Sequence, residues 1–355
     1  MIANEIQPAR RLGDLRPYAP PVRDDRITLA LDNNEGAPVD ASLLSLLRDL
    51  SPEQIARYPD QSALETQIAN GLGIGHRRVV ITNGGDDAID RVCRAMLSPG
   101  DAMLTHGPGF VMIPRWAQLA GACVRSVDWL SGDFPLSPFM DAIDESVRLV
   151  VVVSPCNPTG LVVGTDQLIR IAARAREAGA VLMLDQAYVE FADEDPIDEL
   201  ICMENVVVVR TFSKAMGGAG LRVGYAIAME RIATWLRTVG GPYPVSTPSL
   251  LLAAACYERR TEREEIIAQT RANRTVMENQ LRSLGAGVIS SQSNFVLARF
   301  DDAAQTHARL LEQGISVRRF LSGGGIENYL RITVPAEQPQ LAQFLTALGT
   351  IGASS

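Results

Sequence analysis

Four short stretches of this chain carry side chains able to do chemistry, and each follows directly on an apolar run. The first, Asn83-Gly84-Gly85-Asp86-Asp87, opens a helical pattern. Its glycines let backbone approach a ligand closely, and the free N–H groups of a helix start attract phosphate. The same text also fits an ordinary strand-to-helix turn with Asp as its cap. The second, Ser154-Pro155-Cys156-Asn157-Pro158-Thr159-Gly160, brackets the Asn157 amide between prolines that hold it at a fixed angle; a tight turn is its plainer reading. The third, Asp185-Gln186-Ala187-Tyr188, ends a hydrophobic run in a carboxylate, which is costly unless it meets a cation or caps a helix. The fourth runs from Arg210 to Arg222 and sets Lys214 beside Thr211 and Ser213, ahead of a glycine-rich turn. That setting suits a reactive amine. Its glycine spacing and lysine position do not match a P-loop, and by itself it also fits a surface lysine in a glycine loop. Jointly the four stretches supply a phosphate nest, an amide, a carboxylate and an amine.

The elements that must position these residues alternate in type. Strand-like runs fall at Val79–Thr82, Ala102–Thr105, Leu149–Val153, Val181–Leu184, Asn205–Val209 and Arg222–Ala226. Helical patterns lie between them at Asp86–Leu97, Thr165–Glu177 and Ile232–Val239. Such alternation predicts an α/β layer with a largely parallel sheet, whose ligands sit beyond the carboxyl ends of the strands. Runs such as Val150–Val153 and Val206–Val209 are apolar at every position, as strands buried on both faces are. Past Thr247 the texture changes. One long charged helix is expected over Glu258–Leu284, then strands at Asn294–Arg299, Ile315–Arg319 and Tyr329–Val334, with helices at Ala303–Gln313 and Ala336–Leu348. The expected division is an N-terminal arm over 1–32 that joins the smaller unit, a large domain over 33–245, and a small α+β domain over 246–355.

The bulk properties narrow the function. The chain has 355 residues, 46% of them hydrophobic, and a net charge of −8 without blocks of like charge. This favours neither nucleic acid nor an anionic membrane as partner. The cysteines at 93, 123, 156, 202 and 256 are scattered, with no paired spacing, which argues against a disulfide framework and against a zinc site. No metal is expected. The first residues lack the apolar core of a signal peptide, and no run reaches the roughly 18 apolar residues of a membrane span, so a cytoplasmic protein is the default.

The ordered set of motifs resembles the fold-type I aminotransferases that use pyridoxal 5'-phosphate (PLP), and within them the histidinol-phosphate aminotransferase family. The resemblance rests on Tyr58-Pro59-Asp60, Pro99-Gly100-Asp101, Asn157-Pro158-Thr159-Gly160, Asp185 with Tyr188, Ser213-Lys214 with Arg222 eight residues on, Ser293-Asn294-Phe295 and Leu330-Arg331-Ile332-Thr333. It runs from about Leu15 to the C-terminus. It implies a mostly parallel seven-stranded sheet between helices, with a smaller α+β domain. Lys214 would carry the cofactor as a Schiff base and then move the substrate proton. Asp185 would pair with the pyridine nitrogen, Asn157 and Tyr188 with the ring oxygen. Gly85, Asp86, Thr211, Ser213 and Arg222 would hold the phosphate. Phe110 would stack on the ring where the family usually has tyrosine. Tyr58 would reach the cofactor of a neighbouring subunit, which implies a homodimer.

The resemblance also implies a substrate pairing of an amine with a 2-oxo acid, L-histidinol phosphate with 2-oxoglutarate, in histidine biosynthesis. Arg331 would take an α-carboxylate and share anion duty with Arg318. Tyr18, in Arg16-Pro17-Tyr18, and Arg318 stand where a substrate phosphate is expected, and Asn34 borders the substrate. The chain departs from the family pattern in two places, Asn33-Asn34-Glu35-Gly36-Ala37-Pro38 and Gly107-Pro108-Gly109-Phe110. These leave open an aromatic or other amino acid as donor, or a related PLP lyase such as threonine-phosphate decarboxylase.

Overall fold

The computed structural model describes residues 8–13, 15–18, 24–321 and 325–352. The remainder of the expected N-terminal arm, Pro20 included, lies outside the described residues. The described strands, in chain order, are β1 (Leu29–Leu31), β2 (Val79–Thr82), β3 (Ala102–Gly107), β4 (Cys123–Asp128), β5 (Val147–Val153) and β6 (Val181–Asp185). They continue with β7 (Val206–Thr211), β8 (Gly224–Ala228), β9 (Gly287–Ile289), β10 (Phe295–Arg299), β11 (Ile315–Arg319) and β12 (Tyr329–Thr333).

Seven of them form one sheet in the order β2-β8-β7-β6-β5-β3-β4. β8 runs antiparallel to its neighbours β2 and β7, and the remaining pairs are parallel. β5 shows why such a strand reads as an unbroken apolar run. Val150 and Val152 pack on one face against Leu168 and Ile171 of the helix Thr165–Glu177. Val151 and Val153 pack on the other against Ile89, Val92 and Ile113 of the helices Gly84–Met96 and Met112–Leu119. Each face is dry, so each position must be apolar. Because β5, β6 and β7 are parallel, their carboxyl ends lie side by side, and the polar residues that follow them converge.

The second sheet has the order β1-β11-β12-β10-β9. β1 joins it parallel to β11, with Leu29 opposite Ile315. Its core holds Leu31, Met277, Leu281, Val296, Leu310, Ile332 and Phe344.

Two findings depart from the sequence reading. β4 has no counterpart in the sequence reading. It is an edge strand whose residues are half-buried or exposed, and its Arg125 pairs with Asp144 across solvent, so an apolar signal is lacking. The helix expected over Glu258–Leu284 starts later, running from Glu264 to Ser283. A separate helix over Thr247–Glu258 stops where it was expected to begin, and one tight turn lies between the two. At the join, buried Arg263 donates to the carbonyls of Ala37, Pro38 and Ala215, a tertiary anchor that fixes the bend. The helix Thr247–Glu258 follows the expected boundary at 245, yet its Leu250, Leu252 and Ala253 pack in the core of the large sheet. Among the described residues, no helix is long and apolar enough to cross a membrane.

Candidate active site

The carboxyl ends of β5, β6 and β7 face the segment after β1 and the ends of β11 and β12 across a cavity of about 630 Å³. Every residue expected from the sequence to touch cofactor or substrate lines it, except Tyr58. Tyr58 is 80% exposed and stacks on Tyr243, with ring centroids 4.4 Å apart.

One corner of the cavity is built to receive an anion. The helix Gly84–Met96 begins there, and no side chain at its N-cap occupies the first-turn N–H groups. Asp87, one of the two acidic residues of that turn, instead accepts from the Asn83 N–H at 2.8 Å and pairs with Arg91. Thr211 donates to Ser213 Oγ at 2.9 Å, and Arg222 reaches Ser213 Oγ and Asp86 Oδ2 at 3.4 Å each. Gly84 makes the approach possible. It has φ +74°, and a Cβ there would stand 2.6 Å from the Arg222 guanidinium. Hydroxyls, a guanidinium and a helix N-terminus form a donor set suited to a phosphate dianion.

Asp185 closes β6 at the cavity floor. Its carboxylate is 5% exposed and accepts from the Ala187 N–H at 3.0 Å. Burial pushes its pKa up to about 6, the direction expected of a carboxylate awaiting a cation. Lys214 stands opposite, its Nζ 5.6 Å from the Tyr188 ring centre and donating to the Asn33 carbonyl at 3.0 Å. Burial, and next the Arg331 charge, bring this amine down to about 8, so a useful fraction is a neutral nucleophile near neutral pH. Asn157, Tyr188 and Phe110 complete the walls. The set fits a flat heteroaromatic phosphate: anion donors at one end, a buried carboxylate for a ring cation, an aromatic face, and an amine able to condense with an aldehyde.

The opposite wall holds the arginines. Arg331 donates to Asn157 Oδ1 at 2.6 Å and to the Asp32 carbonyl at 2.7 Å. Burial, opposed by the Tyr188 oxygen and reinforced by the Arg318 charge, brings it down to about 10. Arg318 sits directly across from it in the β11–β12 register. Tyr18 reaches the cavity from the arm. Asn34, expected at the substrate, lines the cavity but commits its polar atoms to the protein. Its backbone is left-handed (φ 55°), and its side chain and backbone bond Tyr188, Thr333 and Asn294. The departure at Gly36 has a local cause: a Cβ there would meet the Lys214 carbonyl oxygen at 1.8 Å.

Several participants escaped the sequence reading. Arg210 is buried and grips Gln186 Oε1 at 2.8 Å and Asp195 at 2.6 Å, joining the ends of β6 and β7. Its place just before Thr211 was the available signal. Arg263, inside a charge-rich stretch, gave none. Glu35 and the Asn33 carbonyl also face the cavity.

Comparison with known proteins agrees with this geometry. The sequence model of the family described as aminotransferase class I and II matches residues 24–348. Histidinol-phosphate aminotransferase 2 of Pseudomonas aeruginosa is 35% identical over 84% of this chain and 82% of its own length. Histidinol-phosphate aminotransferase of Akkermansia muciniphila is 32% identical over 95% of this chain and 92% of its own. Among solved structures, histidinol-phosphate aminotransferase from Sinorhizobium meliloti in complex with pyridoxal-5'-phosphate superimposes with a TM-score of 0.85. It is 23% identical, with 92% of each chain covered, so this likeness speaks for the fold. The chain therefore belongs to the PLP-dependent aminotransferases of class I and II and, within them, to the histidinol-phosphate aminotransferase family.

Proposed function

We propose that the protein moves an amino group reversibly between L-histidinol phosphate and 2-oxoglutarate in histidine biosynthesis, with the cofactor held on Lys214. The observation that carries the substrate assignment is the pair Arg318 and Arg331, directly opposite on adjacent strands and both lining the cavity. Like charges so placed repel unless an anion lies between or above them. A phosphorylated amine supplies that anion in one half of the reaction, and the carboxylates of a 2-oxo acid supply it in the other. The hydroxyl of Tyr18 adds a neutral donor on the same side.

When bound, PLP supplies an aldehyde that takes up amines and a pyridinium ring that draws electrons from the carbon losing its proton. The chain's residues would do the rest. Thr211, Ser213, Arg222 and the N–H groups at Gly85 and Asp86 would hold the phosphate. Asp185 would keep the ring nitrogen protonated, and Phe110 would cover one ring face. Asn157 and Tyr188 would donate to the ring oxygen. Lys214 would take the proton from the substrate carbon and return it on the cofactor side.

Tyr58 projects from the surface with Tyr243, which supports a homodimer in which it completes the neighbouring site. The free cysteines and the small-metabolite chemistry support a cytoplasmic setting. The arm (1–32) and residues 246–355 are read as the smaller domain against 33–245, the helix Thr247–Glu258 serving as the bridge between them.

The test is a half-reaction. PLP-loaded protein is mixed with L-histidinol phosphate, and the cofactor absorbance is followed. Conversion to the amino form, reversed by 2-oxoglutarate, is the expected outcome. Conversion with phenylalanine alone would move the substrate to an aromatic amino acid, and CO₂ released from threonine phosphate would make the protein a lyase.

A further inference from the structure

The side chain of Asn34 makes a link to Tyr188 that the amino transfer itself does not call for. Asn34 is 1% exposed and has φ 55°, a left-handed conformation that asparagine tolerates better than most residues. Side chains hold both of its backbone groups: its N–H donates to Thr333 Oγ1 at 3.0 Å, and its carbonyl accepts from Asn294 Nδ2 at 3.1 Å. The Thr333 hydroxyl, already an acceptor for that N–H, gives its one proton to Asn34 Oδ1 at 3.4 Å. The remaining amide nitrogen donates to Tyr188 Oη at 3.1 Å. A phenol that accepts such a bond still has its own proton to give, and accepting makes it a stronger donor. The Tyr188 ring is fixed edge-on to Phe295, with centroids 5.1 Å apart. Burial pushes its pKa up to about 12, so the proton remains on the oxygen.

We propose that Asn34 is a positioning residue: by donating to Tyr188 Oη it commits the phenol's single proton to the cavity, where it serves the ring oxygen of the bound cofactor. The inference rests on the proposed bond between Tyr188 and the cofactor. Its consequence is electronic. A donor on the ring oxygen competes with the proton held between that oxygen and the Lys214 nitrogen. Weakening the donor lets the lysine–cofactor linkage keep its proton to higher pH. The charged and titratable groups around Tyr188 are Arg331, Asp185 and Cys156. Lys214 itself lies 5.6 Å from the Tyr188 ring, and the other groups around it are Arg331, Glu35, Asp86, Arg222 and Asp185. All remain in place in the variants below.

The experiment is a pH titration of the PLP-loaded protein's absorbance in wild type, Asn34→Gly, Asn34→Asp, Tyr188→Phe and the two double variants. Asn34→Gly suits the left-handed backbone and removes the amide without adding charge. In Asn34→Asp an ionised carboxylate can only accept, and so turns the phenol proton away from the cavity. Both should raise the spectroscopic pKa, the aspartate variant more, with Tyr188→Phe setting the limit at about one unit. In the Tyr188→Phe background the Asn34→Gly shift should vanish, and the Asn34→Asp shift should fall to the direct effect of its added charge. An Asn34→Gly shift that persists there undiminished, or none in the Asn34 variants while Tyr188→Phe moves the titration, would overturn the inference and leave the Tyr188 reading standing. An unmoved titration in Tyr188→Phe would remove both.

Discussion

The carboxyl ends of β5–β7 and the facing ends of β11–β12 enclose one cavity, yet they are built in opposite ways. On the large-sheet side each functional residue stands within a few positions of a strand buried on both faces: Asn157 after β5, Asp185 and Tyr188 at and after β6, Lys214 after β7. The dry strands set these groups, and burial is the main cause that tunes Asp185 upward and Lys214 downward. On the small-sheet side the lining comes from distant stretches of chain, with Tyr18 and Asn34 near the start and Arg318 and Arg331 near the end. Their meeting depends on strand register and on side-chain-to-backbone bonds such as Arg331 to the Asp32 carbonyl. The first wall suits chemistry that does not change between substrates. The second suits recognition, where a few substitutions would retune specificity without touching the first wall.

The contrast can be broken most severely at Lys214. Lys214→Ala should abolish turnover, by about 10⁴-fold or more, and lose the absorbance of lysine-bound cofactor. Turnover at a normal rate would remove its assignment. Asp185→Ala should slow proton removal on the order of 10³-fold in single-turnover kinetics, with the amine's apparent affinity far less affected. On the other wall the effect should be smaller and selective. Arg318→Ala is expected to lower kcat/KM for a phosphorylated amine about 10–100-fold, the worth of one charge-assisted bond, and hardly change it for phenylalanine. Equal losses for both would erase the distinction between the two walls. The seam between the walls is tested by Gly36→Ala, whose Cβ would collide with the Lys214 carbonyl. It should cost roughly 1–3 kcal/mol of stability by denaturant melt and weaken cofactor binding. A pH series gives the gentlest test. Burial places the Lys214 amine near about 8, below the ordinary 10.5, and its neutral form is the nucleophile. PLP uptake by the cofactor-free protein should therefore rise with pH and level off above about 8. A rise continuing toward 10.5 would show an amine that is not buried as described.

The large-sheet wall was legible because its information is local. A polar residue immediately after an unbroken apolar run, as at Val153-Ser154 or Leu184-Asp185, marks the end of a buried parallel strand. The edge strand β4 was not legible, because an edge facing water needs no apolar signature. The helix break before Glu264 was hidden for a related reason. Arg263 looks like any surface charge until its guanidinium is seen holding the carbonyls of Ala37, Pro38 and Ala215.

By itself, then, the sequence determined the layer architecture, the chain order of the buried large-sheet strands and which amine, carboxylate and amide follow their ends. Periodicity and strand-end position are properties of neighbouring residues. Only the tertiary structure decided that Asn34 turns to Tyr188, that Gly36 lies on the Lys214 carbonyl, and that Arg318 stands opposite Arg331. Each of these joins residues far apart in the chain, and such meetings are fixed by sheet register and close packing, which no local pattern encodes.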